Sequence, residues 1–133
     1  MADPKPTQIE LHKKSRTLEV TFDNGDHFVL PCEYLRVFSP SAEVQGHGPG
    51  QQVTLPGKAQ VNIYEIEPVG NYAVLLRFTD GHASGIYGWD TLHDLGVNHA
   101  KNWQAYLQAL KDKGLSRDPA SLYGHAVPMR GPK

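Results

Sequence analysis

The chain has 133 residues, 39% of them hydrophobic and 20% charged, with a formal net charge of −1 and a single cysteine. This length suits one domain with one core. The near-neutral charge argues against nucleic acid or an anionic membrane as partner, and no apolar run approaches the roughly 18 residues of a membrane span.

The opening Met1-Ala2-Asp3-Pro4-Lys5-Pro6 lacks the apolar middle of a secretory signal. Cys32 alone cannot build a disulfide framework, and a free thiol suits a reducing compartment. The expected location is therefore the cytoplasm.

Residues 1–6 hold two prolines and two charges and read as a flexible lead-in. Ile9 and Leu11 then alternate with Glu10 and His12, which predicts a half-buried strand. Leu18, Val20 and Phe22 alternate with Glu19 and Thr21 and predict a second. Asp23-Asn24-Gly25-Asp26 is a hairpin turn, and Phe28 and Leu30 mark a third strand. Pro31 suits the first turn of a short helix reaching about Val37, where its missing N–H costs nothing. Glu33 near that start complements the helix dipole.

The stretch Ser39–Gly57 carries four glycines and three prolines and has little periodicity. Loops of this length inside a compact domain are uncommon and often functional.

Pattern returns at Val61. Val61, Ile63 and Glu65 are expected on one face, with Tyr64 and Ile66 on the other. Pro68-Val69-Gly70-Asn71 reads as a turn. Ala73 to Phe78 is almost continuously apolar and predicts a central strand covered on both faces. Asp80-Gly81 forms the next hairpin turn. His82 to Tyr87 is the last strand, with Gly85 marking a bulge or a close backbone approach.

Asp90 is expected to N-cap a helix ending at Gly96. Asn98 is expected to cap a final helix with Ala100, Trp103, Leu107 and Leu110 on one face, stopped at Gly114. Residues 115–133, rich in proline and polar residues, read as a mobile tail. The stretches from Phe22 and from Phe78 both run strand, Asp/Gly turn, strand, short helix. They read either as two equivalent units or as a chance recurrence of a common turn.

Among seven histidines there is no His-x-His, His-x-x-x-His or Cys-x-x-Cys spacing. His12, His27, His93, His99 and His125 read as surface or capping residues. His47, inside the glycine loop, and His82, directly after a hairpin turn, are different by position. With Glu43 they could supply two imidazoles and a carboxylate to Zn²⁺ or Fe²⁺. The plainer reading is that His82 hydrogen-bonds the loop backbone and holds the loop to the sheet. Ser39 and Ser41, separated by Pro40 and outside any Gly-x-Ser-x-Gly elbow, read as turn and cap residues rather than nucleophiles. Cys32 reads as a structural thiol. Trp89, Trp103, Tyr87 and Tyr106 read as core anchors, Trp89 with the option of lining a pocket.

On Leu35-Arg36-Val37-Phe38-Ser39-Pro40-Ser41-Ala42-Glu43-Val44-Gln45-Gly46-His47-Gly48 and on Asp80-Gly81-His82-Ala83-Ser84-Gly85-Ile86-Tyr87-Gly88-Trp89, the sequence resembles the DUF971 family. These are the gamma-butyrobetaine hydroxylase-like N-terminal domains. The resemblance covers about residues 7–114. It implies an α+β fold with a mostly antiparallel sheet of about six strands and two or three packed helices. Such domains stand alone in bacteria, precede the oxygenase domain in gamma-butyrobetaine and trimethyllysine hydroxylases, and are fused to Mrp-type iron–sulfur carriers.

In the hydroxylases the resemblance further implies a zinc site built from a Cys-x-Cys-x-x-Cys motif and a distant histidine. By position these fall on Ser39, Ser41, Val44 and His82. Only the histidine is kept, and neither a serine hydroxyl nor valine replaces a thiolate.

Together these readings give a single α+β domain and a non-enzymatic accessory role in binding a protein, with no cofactor required. The expected contact surface is Ser39, Ser41, Glu43, Gln45, His47 and Trp89. The fusions suggest an Mrp-type iron–sulfur carrier as partner. The alternative is zinc or iron binding through His82, His47 and Glu43.

Overall fold

The computed structural model describes residues 4–40, 53–83 and 85–119. Its first half is an antiparallel meander of β1 (Pro6–His12), β2 (Thr17–Phe22) and β3 (His27–Pro31), in that spatial order. The period-2 alternation does what it predicts: Leu18, Val20 and Phe22 are buried, with Ile9 and Leu11 beside them on β1 and Phe28 and Leu30 on β3. The β2–β3 turn closes with Phe22 N–H donating to Asp26 O at 2.8 Å and Gly25 N–H to Phe22 O at 3.0 Å. Gly25 sits at φ 92°, which a side chain would resist. Without a break, β3 runs into a six-residue helix, α1 (Cys32–Val37).

The second half repeats the plan. β4 (Ile63–Val69), β5 (Ala73–Phe78) and β6 (Ile86–Gly88) form another three-stranded antiparallel sheet in chain order. It leads directly into α2 (Trp89–Val97), followed by α3 (His99–Asp112). Its turn is the same object: Phe78 N–H donates to His82 O at 3.0 Å, Gly81 N–H to Phe78 O at 3.1 Å, and Gly81 has φ 93°. The expected α+β class therefore holds. The six strands form two sheets of three, and the recurrence noticed in the sequence is architectural: each half is strand, strand, strand, helix.

The halves meet at α1, all six of whose residues are buried. Tyr34 Oη donates to Leu95 O of α2 at 2.6 Å, and Tyr87 Oη of β6 donates to Leu35 O at 2.6 Å. The two charged residues of α1 are paired at long range. Arg36 Nε donates to Asp80 Oδ2 at 2.7 Å, and Arg117 grips Glu33 with two bonds of 2.7 Å. Cys32 is fully buried, its Sγ lies 3.6 Å from Asn62 Oδ1, and burial pushes its thiol up to about 11. The thiol stays protonated and unreactive, as a structural cysteine should.

Several expectations need correction. Tyr64 is an extra residue on β4: Ile63 pairs with Phe78 and Glu65 with Arg77, so the register slips by one. Ile66 thereby joins Ile63 at the core instead of sharing a face with exposed Tyr64. The turn after β4 starts only at Gly70, since Pro68 and Val69 belong to the strand. β5 is central, yet Leu75 and Arg77 on its outer face are only half-buried.

Gly96 lies inside α2 and does not end it. A Cβ there would sit 2.4 Å from a Phe28 ring carbon, so the glycine allows the helix to press on β3. The N-cap of α2 is Gly88, and Asp90 Oδ1 accepts from the Thr91 N–H at 2.8 Å. Asn98 turns its amide back to Asp94, serving the end of α2 rather than the start of α3. On α3 the buried side chains are Tyr106 and Leu110, while Ala100 is exposed.

Of the segment expected to be a tail, residues 115–119 are tied down. Gly57 N–H donates to Ser116 O at 2.9 Å, Ala59 N–H to Arg117 O at 3.0 Å, and the Arg117 guanidinium lies 5.3 Å over the Trp103 ring.

Candidate functional site

The site begins where α1 ends. Phe38 closes the helix, its N–H donating to Tyr34 O at 3.1 Å, and the next residue, Ser39, is wholly buried. Its partner comes from the second half. His82 follows the Asp80-Gly81 turn, and His82 Nε2 lies 3.0 Å from Ser39 Oγ with His82 only 8% exposed. Where a hydrogen bond from His82 to the loop backbone is expected, the contact at Ser39 is to the side-chain hydroxyl. His82 does not open a strand; β6 begins only at Ile86.

Around this contact the polar groups hold one another. Asp80 Oδ1 accepts from the His82 N–H at 3.1 Å. Asp80 Oδ2 accepts from Arg36 Nε at 2.7 Å and from Lys58 Nζ at 2.8 Å. Burial works to raise the Asp80 carboxyl, but Lys58, the His82 N–H and Arg36 outweigh it and bring it down to about 2. Burial pushes the Tyr87 phenol far up, opposed by its hydrogen bond with Ser39. Tyr87 Oη itself donates to Leu35 O.

Gly85 makes room for this. A Cβ at Gly85 would stand 2.5 Å from Ser39 Oγ and 3.1 Å from Tyr87 Cε1. The close approach expected at Gly85 is therefore present, and it is an approach to Ser39.

Trp89 is half-buried at the first position of α2, with Nε1 donating to Asn71 O at 2.8 Å. An open groove beside α2 is lined by Phe38, Pro40, Asp90, Asp94, Leu95 and Asn102, among others, and Trp89 does not line it. Ser41, Glu43, Gln45 and His47 lie outside the described residues, as does Val44.

The zinc implied by the resemblance can be tested on its donor set. Two of the four positions, Ser39 and His82, do meet. They meet as a neutral hydroxyl hydrogen-bonded to an imidazole inside a buried pocket, with no thiolate at Ser39. That pair does not suit a structural zinc, which takes cysteine thiolate and imidazole ligands.

Arg36, Asp80, Lys58 and Tyr87 were not legible as site residues. Arg36 and Lys58 reach Asp80 from 44 and 22 residues away, and Tyr87 meets Leu35 from 52. The one local signal was Asp80 two residues before His82, the spacing at which an aspartate side chain accepts its neighbour's N–H in a turn.

Two antiparallel meanders, each ending in a helix and clasped about α1, define a small two-sheet α+β domain with a serine–histidine contact where the halves join. The family model described as gamma-butyrobetaine hydroxylase-like, N-terminal, matches residues 9–93, and the chain belongs to that family. Two NMR solution structures are similar to it. One is 46% identical over 89% of this chain and 93% of that chain, the other 52% identical over 88% and 87%, each with a TM-score of 0.77. A crystal structure of a protein of unknown function of the DUF971 family, from Acidithiobacillus ferrooxidans, is 38% identical over 71% of this chain and 98% of that chain, with a TM-score of 0.60. The DUF971 resemblance read from the sequence is confirmed by these matches. No curated protein matches the chain.

Proposed function

We propose that the chain is a non-enzymatic accessory domain that binds a protein partner through the second sheet, at β6 and the turn beside it. The observation that carries this reading is the contrast between locked polar groups and exposed apolar ones. Ser39, His82, Asp80, Arg36 and Lys58 are engaged with each other. Beside them, three-residue β6 lies at the edge of its sheet among the described residues and leaves Ile86 49% exposed, while Tyr72 at the neighbouring turn is 61% exposed. A short edge strand with an apolar outward side chain can take a further strand or an apolar partner surface.

A catalytic reading finds less support. The Ser39–His82 pair is buried, and the Asp80 carboxylate accepts from the His82 main-chain N–H. A general base needs reach to a substrate proton.

The test is site-directed photo-crosslinking in cells from position 86, with position 29 on the first sheet as control. One protein captured from position 86 alone, and no longer bound by Ile86→Asp, is the expected result. Equal capture from both positions, or none, would sink the proposal. The resemblance names the first candidate to try with purified components, an Mrp-type iron–sulfur carrier.

A further inference from the structure

The outer face of the first sheet carries a separate cluster of ionisable side chains. Glu10 and Glu19 stand directly opposite each other on β1 and β2. Like charges in that position destabilise a strand pair unless something offsets them. What surrounds them is imidazole. His12 Nε2 donates to Glu19 Oε1 at 2.7 Å, and His27 Nε2, from β3, donates to the other Glu19 oxygen. Those two bonds, His12 first, hold the Glu19 carboxyl below its ordinary value.

One ligand atom from each of Glu10, His12 and Glu19 lies within 4.8 Å of the other two, a grouping found once among the described residues. All these side chains leave the same face of three hydrogen-bonded strands, opposite the face that buries Leu18 and Val20.

We infer that Glu10, His12 and Glu19 form a surface site for a borderline divalent transition-metal ion, Zn²⁺ in the first instance, flanked by His27. Mixed imidazole and carboxylate donors favour Zn²⁺ and its neighbours in the first transition row over Mg²⁺ or Ca²⁺, which seek oxygen alone. Zinc bonds to nitrogen and oxygen run about 2.0–2.2 Å. The three donors must therefore draw closer than they stand, which partly exposed side chains on a fixed sheet can do by rotamer change. Zn²⁺ takes the place of the Nε2 proton that His12 donates to Glu19: that proton is released to solvent, the ring carries its remaining proton on Nδ1, and the freed Nε2 lone pair binds the metal. Its charge bridges the two carboxylates that otherwise repel. The site shares no residue with the Ser39–His82 contact, so it stands or falls apart from the partner-binding proposal.

The experiment is calorimetric titration of the full chain with ZnCl₂, with MgCl₂ as control. Thermal unfolding is measured alongside, and circular dichroism verifies the fold of each variant. One equivalent of zinc should bind and raise the unfolding midpoint, and magnesium should do neither. His12→Gln and Glu19→Gln should each weaken zinc at least about tenfold, whereas His82→Ala should leave its affinity unchanged. Glu10→Gln should raise the midpoint of the metal-free protein by removing the like-charge pair, and should weaken zinc as well. No uptake at millimolar zinc, zinc retained by folded His12→Gln, or zinc lost with His82→Ala would each overturn the site.

Discussion

The two hairpin turns are built alike and used differently. In the first, Asn24 Oδ1 accepts from the Asp26 N–H at 3.0 Å; in the second, Asp80 Oδ1 accepts from the His82 N–H at 3.1 Å. Each turn also receives a basic side chain from the fifth residue of the other half's helix: His93 of α2 reaches Asp26 at 2.7 Å, and Arg36 of α1 reaches Asp80 at 2.7 Å. The difference lies in depth. The Asp26 side chain is 44% exposed and its histidine 22%, whereas the Arg36 side chain is 5% exposed and that of Asp80 16%. After the first turn the chain enters β3 at once. After the second, His82 is buried against Ser39 and β6 begins only at Ile86. One local geometry thus serves as a surface latch in one half and as the anchor of the Ser39 segment in the other. Its surroundings decide which.

The sharpest way to break this equivalence is Arg36→Ala. It strips a buried charge pair and should cost about 2–3 kcal/mol in urea unfolding; a loss near zero would show that the two latches are equal after all. Gly85→Ala forces Ser39 and Tyr87 apart and should cost about 1–3 kcal/mol. It should also shift the His82 ring signals in NMR, a response that mere loosening of the first half would not give.

Asp80→Asn tests the charge itself. The Asp80 carboxyl titrates at about 2 in the fold against an ordinary 3.8. Its contribution is therefore complete above about pH 4 and is lost as the pH falls through 2. Allowing for its exposed backbone, that loss is about 1–2 kcal/mol. The acid limb of the stability profile should be shallower in Asp80→Asn than in wild type. Asp26→Asn should move the unfolding midpoint least, since an exposed ion pair contributes little. A large shift there would reverse the comparison.

The first sheet was legible because Ile9 and Leu11, then Leu18, Val20 and Phe22, alternate with polar residues, and that pattern needs no knowledge of the rest of the chain. The second was read with errors where tertiary contact overrides pattern. The extra residue at Tyr64 changes the parity of β4, and Gly96 looks like a stop until Phe28 is known to lie against it. In the site, Ser39 and His82 were found, one through the family resemblance and one through its place after a turn. Arg36 was not singled out, because a helix that is buried on every side has no apolar stripe to betray its depth. Glu33 was read as a dipole partner, while its main contact, Arg117, lies 84 residues away.

That buried helix also governs how the chain can reach its fold. The partners of α1 in the second half lie 30 to 84 residues along the chain, from Asn62 through Asp80, Tyr87 and Leu95 to Arg117. Six residues are too few to persist as an isolated helix, and loops this long must close before their contacts return anything. Although the architecture is doubled, neither half should mature alone. Fragments cut near residue 60 should stay unfolded apart and associate when mixed. On the ribosome, the first meander should keep its apolar face open until the second sheet and α2 have been synthesised.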